Sequence, residues 1–380
     1  MNPTFCLPMK TWPDKKCAWL ALYTVQGLGN QTFKNLLDKF GEPEDVFEAR
    51  LAELAEVEGV RKDIARRIVN REFSLDPVTE LKKVERCNAR IITYQEPTYP
   101  GLLKEISSPP MILYVKGQPI PPDLTFIAVV GSRNATHYGL AAAEKIGIGL
   151  SNRGVGVVSG MAKGIDSAAH WGCLRGQGFT IAVIGTGIDV VYPASNRDLL
   201  ARVIENGVVI SEFPTGTPPE PKNFPIRNRI ISGLSRGVVV VEATRRSGSL
   251  ITASMALDQG REVFAVPGSI DSFKSTGAHF LIKQGARLVE NADDILDELG
   301  FFGRELNRTT ASGGVDTVSV DMDEPETRVY SIIGDYPIHV DNIVRLGGLD
   351  AGEVLGILMR LELKGIIRQL PGKMFVRYRV

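Results

Sequence analysis

Apolar positions in the first hundred residues recur at the three-and-four spacing of helices. In "VQGLGNQTFKNLLDKFG" (25–41), Leu28, Phe33, Leu36, Leu37 and Phe40 follow that rhythm around a Gly-Leu-Gly turn, and "VEGVRKDIARRIVN" (57–70) repeats it. Two helices joined by a tight glycine turn make either a helix-hairpin-helix, whose turn N–H groups can face a phosphate, or a plain αα-hairpin. Both readings stand at this point.

From about residue 126 the rhythm changes. "FIAVVG" (126–131), "GVGVVSG" (154–160), "FTIAVIG" (179–185), "GVVIS" (207–211), "GVVVVEA" (237–243) and "EVFAVPG" (262–268) are unbroken apolar runs rich in Val and Ile, as in strands covered on both faces. The segments between them, 138–152, 164–175, 195–205, 226–235 and 249–260, are long enough for crossover helices. This alternation predicts a doubly wound, mostly parallel α/β sheet, with ligands gathering at the carboxyl ends of the strands. The sheet is expected to close near "NADDILDELG" (291–300). Residues 301–324 lose periodicity and read as a linker. Three short helical segments and a hairpin-like "IIRQLPGKMFVRY" follow, the order of a winged helix, with Asp350 the N-cap of the third helix. The expected division is a helical domain over 1–85, the sheet domain over 86–300, a linker over 301–324 and a winged helix over 325–380.

Composition narrows the function classes. With 44 basic and 44 acidic residues the chain has no net charge, so any affinity for nucleic acid must come from local patterning. Cys6, Cys17, Cys87 and Cys173 lie far apart with no CxxC, which argues for reduced, incidental thiols and against a zinc site. His137, His170, His279 and His339 are scattered without metal-ligand spacing. The N-terminal "MNPTFCLPMKTWPDKK" is broken by Pro and Lys where a signal peptide needs an apolar core, and no run reaches membrane-span length. A cytoplasmic location without membrane attachment is the expectation.

The strand-end loops carry the candidate chemistry. "GSRNATHYG" offers the Ser132 hydroxyl and the Arg133 donor fork, "SGMAKGID" offers Lys163, and "GTGIDVVYPASN" offers Asp189, Tyr192 and Asn196. Ser247, Gly248, Ser249 and Thr252 open a helix as a possible anion nest. No GxGxxG is present, and Ser159 at its strand end carries no GxSxG elbow. Between Lys222 and Arg246 six basic residues face one acid, Glu242. Within that window "KNFPIRNR" sets Phe224 beside Arg227 and Arg229 with Asn228 between them, the pairing of aromatic face and phosphate-neutralising charge that suits single-stranded nucleic acid. Five prolines in "SEFPTGTPPEPKNFP" favour an exposed loop over a core position for Phe224 and surface ion pairs for the arginines. Glu242 and Asp189 could alternatively form a carboxylate pair acting on a nucleotide sugar, although strand-end acids more often cap helices or pair with arginines.

Taken in order, "VVGSR", "SGMAKGID", "GTGIDVVYP", "SEFP", "FPIRNRIISGLS", "VVVEA", "SGSLITA" and "VFAVPG" resemble the DNA-processing protein A family, also called Smf, over residues 90–290. The resemblance implies an extended Rossmann-like sheet flanked by an N-terminal sterile-alpha or helix-hairpin-helix module and a C-terminal winged helix. It also implies a non-enzymatic, cofactor-free protein of natural transformation. Such a protein binds and protects incoming single-stranded DNA, loads the RecA recombinase onto it, and forms homodimers through the sheet domain. Carried over position by position, the implied DNA contacts are Arg133, Lys163, Lys222, Phe224, Arg227 and Arg229, with Ser132 and Asn228 beside them. One departure is His279 in "STGAHFLIKQGA", where the family commonly has Asn. The competing expectation is a nucleotide-handling hydrolase similar to the lysine-decarboxylase-like phosphoribohydrolases, but "VPGSIDSFKSTG" lacks their PGGxGT loop. A purely scaffolding protein is a third possibility, which predicts no salt-dependent DNA affinity. In the winged helix, the third helix offers only Arg360 and Lys364 as bases, which favours partner binding, self-association or a purely structural role over groove reading. The basic end, Arg368, Lys373, Arg377 and Arg379, leaves auxiliary DNA contact open.

Overall fold

The computed structural model describes residues 5–6, 12–300, 322–334 and 337–377. Most of the expected linker, residues 301–321, and Arg379 lie outside the described residues. The chain forms two compact units, one carrying the N-terminal helices and the large sheet, the other the C-terminal elements.

Two helical hairpins open the first unit: α1 (Lys15–Tyr23) with α2 (Asn30–Phe40), and α3 (Leu51–Ala55) with α4 (Lys62–Val69). Their turn glycines, Gly27 and Gly59, have φ of 88° and 84°. Arg67 on α4 donates to the Gln26 carbonyl at 2.6 Å and so ties one hairpin to the turn of the other. The helix α5 (Pro77–Arg86) follows, its first turn capped by Asp76, which accepts from the Thr79 N–H at 3.0 Å. Trp19, Phe33, Leu36, Ile64 and Ile68 from these helices share one buried cluster with Met111, Ile112, Tyr114 and Ile184 of the sheet. Burial of apolar area, at roughly 25 cal/mol per Å², therefore acts across the helices and the sheet together.

The sheet has nine strands among the described residues: β1 (Arg90–Thr93), β2 (Ile112–Gly117), β3 (Phe126–Val130), β4 (Gly156–Ser159), β5 (Thr180–Ile184), β6 (Val208–Ser211), β7 (Gly237–Val240), β8 (Glu262–Ala265) and β9 (Arg287–Leu288). Their spatial order is β9-β8-β7-β3-β4-β5-β6-β2-β1. The six strands expected from the apolar runs are all present and run parallel. The antiparallel pair β1 and β2, added at the β6 edge, was not among them. Short apolar runs such as "MILYV" carry no period that separates strand from helix.

Crossover helices α6 (His137–Asn152), α7 (Ile165–Arg175), α8 (Arg197–Asn206), α9 (Asn223–Gly233) and α10 (Gly248–Asp258) link the parallel strands. The chain winds outward from β3 through β6, then returns to β7 on the other side of β3, which makes the β3/β7 junction the topological switch point. Beyond β8, α11 (Thr276–Lys283) places His279 with its Nε2 3.1 Å from the Gly268 carbonyl, so the histidine in the departing motif holds the loop after β8. A last helix, α12 (Ala292–Glu298), carries a capping box from Asn291 and Asp294.

His170 on α7 is fully buried against the sheet, with Nδ1 2.7 Å from the Thr180 hydroxyl. That hydroxyl donates onward to the Val157 carbonyl at 2.9 Å, so the imidazole must carry its proton on Nδ1 and donate. Burial, helped by the charge on Arg227, pushes its pKa down to about 3. The unfolded chain takes up this proton below pH about 6.5 and the folded one does not. Stability is therefore full above that pH and falls by up to about 1.4 kcal/mol per unit as the pH drops towards 3. Urea unfolding between about pH 7 and pH 5 should show this slope, and His170→Gln should flatten it; an unchanged slope in the variant would refute the assignment.

In the second unit, α13 (Glu324–Ile332), α14 (Val340–Gly347) and α15 (Ala351–Leu363) pack with strands β10 (Ile338–His339), β11 (Ile367–Leu370) and β12 (Met374–Arg377), ordered β10-β12-β11. This is a winged helix, and Asp350 caps α15 by accepting from the Gly352 N–H at 2.9 Å. The two bases at the end of α15, Arg360 in its last turn and Lys364 at its C-cap, are both engaged by buried Glu326, at 2.9 Å and 2.5 Å. Hydrogen bonds from Lys364 and then Arg360 hold the Glu326 carboxyl down at about 2.

Candidate nucleic-acid interface

At the β3/β7 switch point the strand-end loops enclose a cleft in two adjoining parts, of about 200 Å³ and about 440 Å³. Both parts are lined by Arg133, Ala162, Tyr192, Phe224 and Arg227. The larger part adds Ser132 and Asn228, together with Ser247, Ser249 and Thr252 around the start of α10. Ser247 caps that helix, its hydroxyl accepting from the Ser249 N–H at 3.4 Å. The positive end of the α10 dipole therefore opens on the cleft, beside the hydroxyls.

The expected loop around Phe224 is helical from Asn223, and that changes which way its side chains face. Phe224, Arg227, Asn228 and Ile231 stand at i, i+3, i+4 and i+7, one stripe of α9, and all line the cleft. Phe224 is half-buried. The Arg133 guanidinium lies 5.1 Å from its ring centroid and the Tyr192 ring 5.7 Å away, tilted by 36°. Arg133 is exposed and Tyr192 is 42% exposed, so this stack presents an amphipathic aromatic edge and a cation to solvent together.

Arg227 lies deeper. It is 4% exposed, donates from Nη1 to the Val183 carbonyl, and sits against buried Asp166. Burial lowers its pKa to about 10, with Asp166 opposing the shift, so it stays charged at neutral pH. The Asp166 carboxyl is in turn raised by burial, against the pull of Arg227 and the Ala162 N–H. Arg227 thus gives the cleft floor a fixed positive charge that water screens poorly.

Gly164, at the end of the β4 loop, has φ of 82° and ψ of −127°. A Cβ there would collide with the Ser132 carbonyl oxygen and come within 2.9 Å of the Arg133 carbonyl. The β3 and β4 loops are therefore seated backbone to backbone. The Ile165 N–H completes the seat by donating to the Ser132 carbonyl at 3.2 Å.

The remaining sequence candidates are distributed as follows. Lys163 is exposed at the edge of the smaller part of the cleft. Lys222, exposed and 2.7 Å from Glu220, lines neither part. Arg229 turns away and pairs with Glu212 at 2.5 Å, where Asn30 also donates to Glu212 at 2.8 Å and the Tyr23 hydroxyl donates to the Glu212 carbonyl at 2.8 Å. It fastens the N-terminal hairpin to the loop after β6. Asp189 and Glu242 line neither part of the cleft, and Asp189 accepts from the Gly216 N–H at 2.8 Å. Tyr192, offered by its strand-end loop though not among the contacts the resemblance implies, joins the cleft, and so does Asp166, which was not a candidate. An aromatic in a strand-end loop, "VVYPAS", was the available signal for Tyr192. Among the described residues no group of three or more His, Cys, Asp or Glu side chains could hold a metal ion.

Comparison with known proteins gives this geometry a lineage. Residues 90–300 match the family model described as DNA recombination-mediator protein A, residues 316–373 match a DprA winged helix domain, and residues 20–71 match a SAM-like helix-hairpin-helix tandem. The chain is 35% identical to the protein Smf of Synechocystis, covering 96% of this chain and 99% of that protein. It is 42% identical to the DNA processing protein DprA of Streptococcus pneumoniae, covering 72% of this chain and 95% of that protein. The X-ray structure of DNA processing protein A from Streptococcus pneumoniae superposes with a TM-score of 0.67 at 38% identity, covering 74% of this chain and 97% of that one. A structure addressing the single-stranded DNA binding mode of the Helicobacter pylori protein superposes with a TM-score of 0.51 at 26% identity, covering 56% of this chain and 96% of that one. With the main family model spanning more than half of the sequence and a relative aligned along nearly its whole length, the chain belongs to the DNA processing protein A family.

Proposed function

We propose that the switch-point cleft grips single-stranded DNA without regard to sequence. The observation that carries this reading is the Arg133–Phe224–Tyr192 stack above the buried charge of Arg227. Bases of a single strand are free to stack on aromatic faces, whereas duplex bases are already stacked on one another. Ser132, Asn228 and the α10 N-terminus are placed to receive phosphate oxygens, and Lys163 extends the positive rim. Lys222 serves as an outlying phosphate contact, while the Arg229 contribution is to hold the loop after β6 in place. The Helicobacter pylori relative, whose structure addresses single-stranded DNA binding, supports the choice of ligand.

On this reading the protein acts in DNA processing during transformation, as a recombination mediator and not an enzyme. It shields incoming strands and hands them to the RecA recombinase, working as a cytoplasmic homodimer. No helix among the described residues is long and apolar enough to cross a membrane. The test is fluorescence anisotropy with labelled oligo-dT and a matched duplex at two salt concentrations. Single strand should bind more tightly, affinity should fall steeply with salt, and Phe224→Ala should weaken binding by about 1–3 kcal/mol. Equal binding of variant and wild type, or no binding of either DNA, would remove the cleft from consideration.

A further inference from the structure

Lys163 borders two hollows. Beside the cleft, it also forms one end of an open groove of about 960 Å³ on the outer side of α7. Ser167, Trp171, Leu174 and Arg175 line its floor at i, i+4, i+7 and i+8, a stripe about 12 Å long at the helical rise. Asn196 and Arg202, from the segment that leads into and forms α8, make the facing wall.

Trp171 has an indole 37% exposed, although it sits on a helix that packs against the sheet through Ile165, Ala169, His170 and Cys173. Trp19, by contrast, is 3% exposed in the N-terminal core. A large aromatic left open in a groove, with amide and guanidinium groups around it, is placed as a stacking platform and not as core filling. Arg175 is paired with Glu144, and Arg202 lies 3.2 Å from Glu205. Solvent-exposed pairs of this kind are worth little and exchange readily for a phosphate partner.

We propose that this groove receives the continuation of the same single strand, with Trp171 stacking a base and Lys163 joining the two segments of the path. The inference rests on the cleft reading above and deepens it: the strand occupies two consecutive stations, one at the switch point and one along α7. Arg202 and Arg175 neutralise phosphates at the second station.

Oligo-dT of two lengths separates the stations, a short one that fills only the cleft and a longer one that reaches the groove. Trp171→Ala should leave the short oligonucleotide at wild-type affinity, which also reports an intact fold, and weaken the longer one by about 5- to 150-fold. Trp171→Phe should retain most of that affinity. The longer oligonucleotide should quench tryptophan emission in the wild type but not in Trp171→Phe. If length brings no gain in affinity, or if Trp171→Ala binds both lengths like wild type, the groove is not part of the path while the cleft reading stands. If wild type binds neither length, both readings fall together.

Discussion

Replacing Arg227 by methionine should destabilise the first unit by about 3 kcal/mol, the upper end of the cost of leaving a buried hydrogen-bonding group without its partner. Three losses combine. The Val183 carbonyl loses its guanidinium donor, the buried Asp166 carboxylate loses its counter-charge, and the cleft floor loses the cation fixed beneath the stack. Asp166 is already raised by burial even with Arg227 present, so losing the guanidinium should push its carboxyl further in the same direction. Adding Asp166→Asn should therefore restore part of the lost stability, because it removes the stranded charge. Denaturant unfolding of the two single variants and the double variant measures the coupling directly. A cost for Arg227→Met below about 1 kcal/mol, the usual figure for an ordinary substitution, would mean that the buried guanidinium is not what holds this floor together.

Gly164→Ala is expected to be almost as damaging, through the backbone. The combination of φ 82° and ψ −127° belongs to a region that side chains rarely enter, and the added methyl would be driven against two main-chain carbonyls that have no rotamer to escape into. Strain and displacement together should cost about 2–4 kcal/mol. The loop that must give way carries Ser132 and Arg133, so affinity for oligo-dT should fall even where the protein remains folded. Melting temperature and anisotropy measured on the same preparation separate the two effects. Wild-type values in both would show that the β3 and β4 loops are not seated on one another.

The parts of this architecture legible in the sequence were those with a one-sided physical signal. Strands covered on both faces need continuous apolar runs, and "FIAVV", "TIAVI" and "GVVVV" supply them. The pair β1 and β2 stands outside the strand-and-crossover-helix alternation that frames those runs, being antiparallel and preceded by helical segments. The basic concentration after Lys222 was visible, but the direction of each side chain depended on where α9 begins. Once the helix starts at Asn223, Arg227 falls on the stripe shared with Phe224, and Arg229 lies about 200° further round the axis, towards Glu212 and the N-terminal hairpin. The proline-rich approach suggested a loop running through Phe224, and that placed both arginines on one rim. Asp166 gave no signal, because a carboxylate that opens a helix is commonplace and its meaning comes from a partner sixty residues away.

The shared core of helices and sheet has a consequence for how this protein can be divided. Met111, Ile112 and Tyr114 lie on the sheet but are covered together with Trp19, Phe33 and Leu36, and the Glu212–Arg229 pair is closed over by Asn30 and Tyr23. A fragment beginning at residue 86 would bare that apolar surface and leave a half-satisfied carboxylate next to it. The hairpins and the sheet should therefore unfold together, and loosening the N-terminal helices should also loosen the loop that leads into α9.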